Sequence, residues 1–132
     1  MEERVRKFLE EHHSAVMATI KADGRPHVAR IGCGLVDGKL WSSGTQDRAR
    51  TRFLRRDPRA TLFVFDESNA YHWLGLECTV TILDGPEAVD QNLALYRTLA
   101  GEPKDLEEYR AAMVAEKRLI YEFRVERSYG QG

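Results

Sequence analysis

Apolar residues recur along the chain with two different periods, and the switches between them divide it into elements. Val5, Phe8 and Leu9 stand at i, i+3, i+4, which predicts a helix over 2–12. AVMATIK at 15–21 reads as a strand, Asp23-Gly24-Arg25-Pro26 as a turn, and HVARIGCGLV at 27–36 as the returning strand of a hairpin. Asp37-Gly38 signals a tight turn into a third strand, KLWSS at 39–43. Thr45 or Asp47 is placed to cap a short helix with Ala49 and Phe53 on its inner face, ended by Asp57-Pro58. ATLFVFD at 60–66 and YHWLGLECTVTIL at 71–83 are strands. Pro86-Glu87 opens a helix with Leu93, Tyr96 and Leu99 on one face, Gly101-Glu102-Pro103 breaks it, and Leu106, Tyr109 and Met113 mark another. LIYEFRVER at 119–127 alternates, with Leu119, Tyr121, Phe123 and Val125 on one side. The sum is six mostly antiparallel strands with several helices, and the early hairpins with a late returning strand favour a small barrel.

Composition narrows this little: 132 residues suit one domain, 1–132, and 42% hydrophobic with 31% charged residues is ordinary for a globular protein. Cys33 and Cys78, without a C-x-x-C pairing, make no disulfide framework and point to a reducing, cytoplasmic setting. No apolar run approaches the ~20 residues of a membrane helix, and MEERVRKFLEEHH is too charged for a secretory signal.

Charge changes the picture. The chain carries a net −1, yet residues 48–59 hold six arginines against one aspartate. A general polyanion binder spreads positive charge over a wide face; this chain concentrates it, as a small acidic ligand requires. The hydroxyls of Ser42, Ser43 and Thr45 lead into the helix whose first turn carries Arg48 and Arg50. A helix N-terminus offers free N–H groups and partial positive charge to a phosphate, and arginines add charge-assisted bonds. Arg48, Arg52, Arg55 and Arg59 fall roughly on one face, with Arg50 offset; Arg55, Arg56 and Arg59 read as a solvated face paired to acids elsewhere. The acidic remainder and the lack of interleaved aromatics argue against nucleic acid.

MATIKADGRPHVARI, LWSSGTQDRARTRFLRRDPRATLFV, LYRTLAGEPKDLEEYRAAMV and RVERSYG together resemble the flavin and deazaflavin oxidoreductases of split β-barrel fold, relatives of pyridoxamine 5′-phosphate oxidase, and above all their coenzyme F420-dependent branch. The resemblance implies a mainly β fold with helices, an FMN-binding split barrel. It implies that Arg50 grips the cofactor phosphate with Arg48 and Thr51 beside it, that Ser42, Ser43 and Thr45 line the preceding strand end, and that the ring lies against the hairpin strands near Thr19 and His27 to Ile31, Ala29 among them. It implies a cytoplasmic homodimer with cofactor sites at the interface, acting by hydride transfer from F420 to a small conjugated molecule such as an enone, quinone or tetrapyrrole. The alternatives are an FMN-dependent oxidoreductase and a carrier of F420 without turnover. The basic pair by which pyridoxamine-phosphate oxidases hold flavin falls on Ala29 and Gly34, which cannot supply it; Phe53 replaces a common polar residue and Cys78 a glycine. Several spaced arginines suit the deazaflavin's phosphodiester and carboxylate tail better than the single phosphate of FMN.

The remaining candidates read plainly. His12-His13 lacks partners at a fixed spacing and reads as a solvated helix end, so no metal site is expected. Tyr71 and Trp73 read as core or dimer packing, Cys33 as a small buried strand residue, and His27 equally as a donor of a proton or hydrogen bond near the ring or as a half-exposed strand histidine. For Tyr129, next to Gly130 near the C-terminus, reaching across a dimer to the substrate side is the lesser of its readings. No residue is singled out as catalytic.

Overall fold

In a computed structural model describing residues 1–132, the chain runs α1 (Glu3–Glu11), β1 (Ser14–Ile20), β2 (Pro26–Gly32), β3 (Gly34–Val36), β4 (Lys39–Thr45), α2 (Ala49–Arg56), β5 (Arg59–Asp66), β6 (Asn69–Leu83), α3 (Ala88–Ala100), α4 (Leu106–Ala115) and β7 (Arg118–Gln131). The strands form one antiparallel sheet in the order β2-β1-β5-β6-β7-β4-β3.

There are seven strands, not six, because the segment 27–36 is not continuous. It breaks at Cys33, between Gly32 and Gly34, and sends β2 and β3 to opposite ends of the sheet order. Glycines in a strand mark a barrel corner because the chain bends sharply there without side-chain clashes. The corner is tied by Cys33 N–H to the His13 carbonyl (2.9 Å), and the sheet is drawn round on itself by the Ser42 hydroxyl, which donates to the Gly32 carbonyl at 2.6 Å. The result is a split β-barrel. Cys33 is buried at this corner rather than within a strand; both cysteines are free, and burial pushes the Cys33 thiol up to about 12.

The barrel interior is filled by Met17, Leu62, Leu76, Tyr121 and Phe123, and closed at one side by Val5, Phe8 and Leu9 of α1. Leu119, Tyr121, Phe123 and Val125 do share the inner face. A bulge where Glu77↔Arg127 gives way to Cys78↔Val125 reverses the alternation of β7, so Tyr129 faces outward over Gly75. α3 packs outside, with Leu95 against Trp41 and Ile120. Its buried face is Ala88, Asn92, Leu93 and Leu95, so Tyr96, expected inward, is 37% exposed. Gly101 ends α3 at φ 84°, where a side chain is strained. No helix is long and apolar enough to cross a membrane.

Candidate functional site

α2 departs from expectation in ways that matter for its N-terminus. The N-cap is Arg48, neither Thr45 nor Asp47, and no side chain caps the helix. β4 runs on to Thr45, whose carbonyl is taken by the Thr51 hydroxyl at 2.6 Å. The inner face is Thr51 and Leu54 rather than Ala49 and Phe53. The backbone N–H groups of Ala49 and Arg50 accordingly donate to nothing in the chain, leaving the donors that an anion at a helix start would satisfy.

The arginines divide sharply. Arg52 donates to the Asp47 carbonyl (3.2 Å), Arg55 to Asp84 (3.0 Å) and Gln46 (2.7 Å), and Arg59 to Asp57 (2.8 Å). Arg56 is held by a backbone carbonyl, that of Ile20 (2.7 Å), rather than by an acid. Arg59 lies on β5 and so shares no helix face with the others. Arg48 and Arg50 alone of the six have no partner in the chain. Arg50 is half-buried, and its Nε is fully buried without a hydrogen bond. A buried donor left unsatisfied costs about 1–3 kcal/mol.

His27 Nδ1 is the other buried side-chain nitrogen without a partner. The His27 ring meets Phe53 edge-on at 5.4 Å between centroids. Phe53 lies three residues after Arg50, so both project from one side of α2. Phe53 thus packs beside the histidine. Together the helix start, Arg48, Arg50 and His27 make a cationic, donor-rich corner where α2 meets the β1–β2 hairpin.

Four predicted hydroxyls have acceptors or partners within the chain. Ser42 is 1% exposed and spent on closing the barrel; Thr51 is 0% exposed, bonded to the Thr45 carbonyl and the Tyr121 hydroxyl. Thr19 is 1% exposed and faces the His27 carbonyl. Ser43 donates to Asn92 on the α3 side. The reason is general: a hydroxyl brought inside a barrel wall must find an acceptor there. Thr45 is half-buried at the end of β4, and Ala29 is half-buried opposite Met17 on β2.

Beside the corner, the outer face of β2, β5, β6 and β7 carries exposed apolar side chains among polar and charged ones. Val28 is 64% exposed, Phe63 42% and Tyr129 46%. Phe63 stacks on Trp73 (5.2 Å) and Trp73 meets Tyr129 edge-on (6.2 Å). Tyr71 and Trp73 thus belong to the surface rather than the core; Tyr71 is 82% exposed.

One group escaped the sequence reading. His12 is not a solvated helix end: it is half-buried and faces Asp66 and His72, residues supplied by the β5–β6 hairpin far along the chain. No sequence spacing connects them, so only the fold reveals the cluster.

Comparison with known proteins agrees with this architecture. The family model for pyridoxamine 5′-phosphate oxidase matches residues 1–132. A biliverdin reductase of Mycobacterium tuberculosis, dependent on reduced coenzyme F420, is 27% identical over 123 residues, covering 93% of this chain and 82% of that protein. Among solved structures, one described as an F420 reductase superposes with a TM-score of 0.78 at 23% identity, covering 99% of this chain and 100% of the other. The heme storage protein HutZ from Vibrio cholerae superposes with a TM-score of 0.74 at 16% identity, covering 99% and 94%. With the family model spanning its whole length, the chain belongs to the pyridoxamine 5′-phosphate oxidase family.

Proposed function

We propose that this protein is a reductase that uses reduced coenzyme F420 to transfer hydride to a small conjugated electrophile. The observation that carries the reading is the unpaired state of Arg48 and Arg50 at an uncapped helix start, with the Arg50 Nε buried and lacking an acceptor. The residues fit an anionic cofactor: Arg50 and the N–H groups of Ala49 and Arg50 would hold a phosphate, and the exposed Arg48 would meet a further negative charge. The free Nδ1 of His27 would hydrogen-bond the cofactor beside Phe53. When bound, the deazaflavin supplies the hydride, as a nicotinamide does. The chain's part is to orient and to keep the reacting face dry; no side chain is assigned as acid or base, and solvent protonates the product. The F420-dependent relative and the absence of basic side chains at Ala29 and Gly34 favour the deazaflavin over FMN.

The face bearing Val28, Phe63, Trp73 and Tyr129 would be covered by a second copy, placing two sites at a homodimer interface. Light scattering at micromolar concentration should report a dimer, and Phe63→Glu should yield a monomer with weakened cofactor binding. A wild-type monomer with full affinity would remove the shared site.

Turnover separates an enzyme from a carrier. Reduced F420 should be consumed, by loss of substrate absorbance and recovery of oxidised F420 absorbance, with at least one of a set of enones, quinones and tetrapyrroles. Tight binding of F420 with no oxidation by any of them would instead mark a carrier.

A further inference from the structure

We propose that His12, Asp66 and His72 form a binding site for a divalent transition-metal ion of the zinc class, apart from the arginine corner. His12 comes from the end of α1, Asp66 from the end of β5, and His72 from β6. One ligand atom from each lies within 4.8 Å of the other two. Asp66 Oδ2 is 3.3 Å from His72 Nδ1 and 4.0 Å from His12 Nε2. The second separation is too long for a hydrogen bond. The first matches the spacing of ligands around one tetrahedral ion, about 3.3 Å for metal–ligand bonds of ~2.0–2.1 Å; the second is longer, so His12 would draw closer on binding.

The supporting contacts hold the three groups in this arrangement. Asp66 Oδ1 accepts from the Ser68 N–H (2.9 Å) and the Ser68 hydroxyl (2.7 Å), which turns Oδ2 toward the two imidazoles. Phe8 fixes both rings: its centroid is 4.4 Å from His12 and 5.2 Å from His72, the latter edge-on. Metal ligands are typically steered by such outer contacts. Neighbouring groups are engaged elsewhere, His13 with the Cys33 carbonyl (3.1 Å) and Glu67 with Arg30 (2.7 Å). An open recess of ≈ 310 Å³ borders His12 and Asp66, from which a water would take the fourth position. Two nitrogens and one carboxylate oxygen with an open position suit zinc and its first-row neighbours rather than magnesium or calcium. A bound ion would tie α1 to the β5–β6 hairpin.

The test uses tag-free, coenzyme-free protein, so its outcome does not depend on the proposed reductase activity. Co²⁺ titration should produce a visible d–d spectrum saturating at one equivalent per chain, displaced by Zn²⁺. His72→Ala changes the most exposed of the three ligands and should weaken Zn²⁺ binding at least about tenfold; Ser68→Ala, which removes only a steering contact, should weaken it by about tenfold. His13→Ala should leave binding unchanged. Zn²⁺ should raise the melting temperature of the wild type but not of His72→Ala, whose fold is checked by circular dichroism. Absence of saturable binding at micromolar Zn²⁺, or equal binding by wild type and His72→Ala, overturns the site.

Discussion

Arg50→Ala is expected to lower affinity for coenzyme F420 by about 10- to 150-fold, the equivalent of a charge-assisted contact of roughly 1.5–3 kcal/mol. The same substitution should leave the melting temperature of the ligand-free protein unchanged or slightly raised, because Arg50 bonds to nothing in the chain and buries an unpaired Nε. That combination of lost binding without lost stability distinguishes a ligand-holding residue from a structural one. Arg48→Ala should behave alike but more mildly, being exposed. Arg59→Ala, whose partner is Asp57, should change affinity less than about threefold. Wild-type affinity should fall as salt rises, since exposed charge contacts are screened. Fluorescence titrations of the three variants check this. Indistinguishable behaviour of Arg50→Ala and Arg59→Ala would reduce the stretch to a charged surface.

Gly44→Ala should destabilise the fold by about 1–3 kcal/mol through overpacking, with a melting temperature lowered by roughly 5–15 °C. A Cβ at Gly44 would overlap the Tyr121 ring, which is wholly buried and has no room to swing aside. The sign is informative, because glycine to alanine in an unobstructed strand is stabilising. The ring also passes over Gly44 to bond Thr51 in the first full turn of α2. Displacing it shifts the helix that carries Arg48 and Arg50, so coenzyme affinity should fall together with stability. Tyr121→Phe keeps the ring and removes the hydroxyl, and should cost only about 1 kcal/mol. Thermal melts and titrations of both variants test the link; Gly44→Ala melting with the wild type would contradict it.

The strands and helices were legible where one period ran unbroken, as in Leu119 to Val125 or Val5 to Leu9. Reading failed where the chain changes direction without leaving the extended region. At Gly32-Cys33-Gly34 the apolar run continues through a barrel corner, so one strand was expected where two exist. At α2 the usual capping residues stand before the helix, but β4 extends to Thr45 and the cap falls on Arg48. Of the site, Arg48, Arg50 and His27 follow from charge, a helix start and the family resemblance. The direction of the hydroxyls does not, because strand parity decides whether Ser42 faces the barrel interior or Ser43 faces α3. His12, Asp66 and His72 were beyond reach, because three separate elements bring them together.

Whether the arginine pair at the uncapped start of α2 holds a deazaflavin is decided by parallel fluorescence titrations of the purified, ligand-free protein with coenzyme F420 and with FMN. F420 should bind at least tenfold tighter, roughly 1.4 kcal/mol. Equal affinities, or FMN copurifying at one per chain, would contradict it.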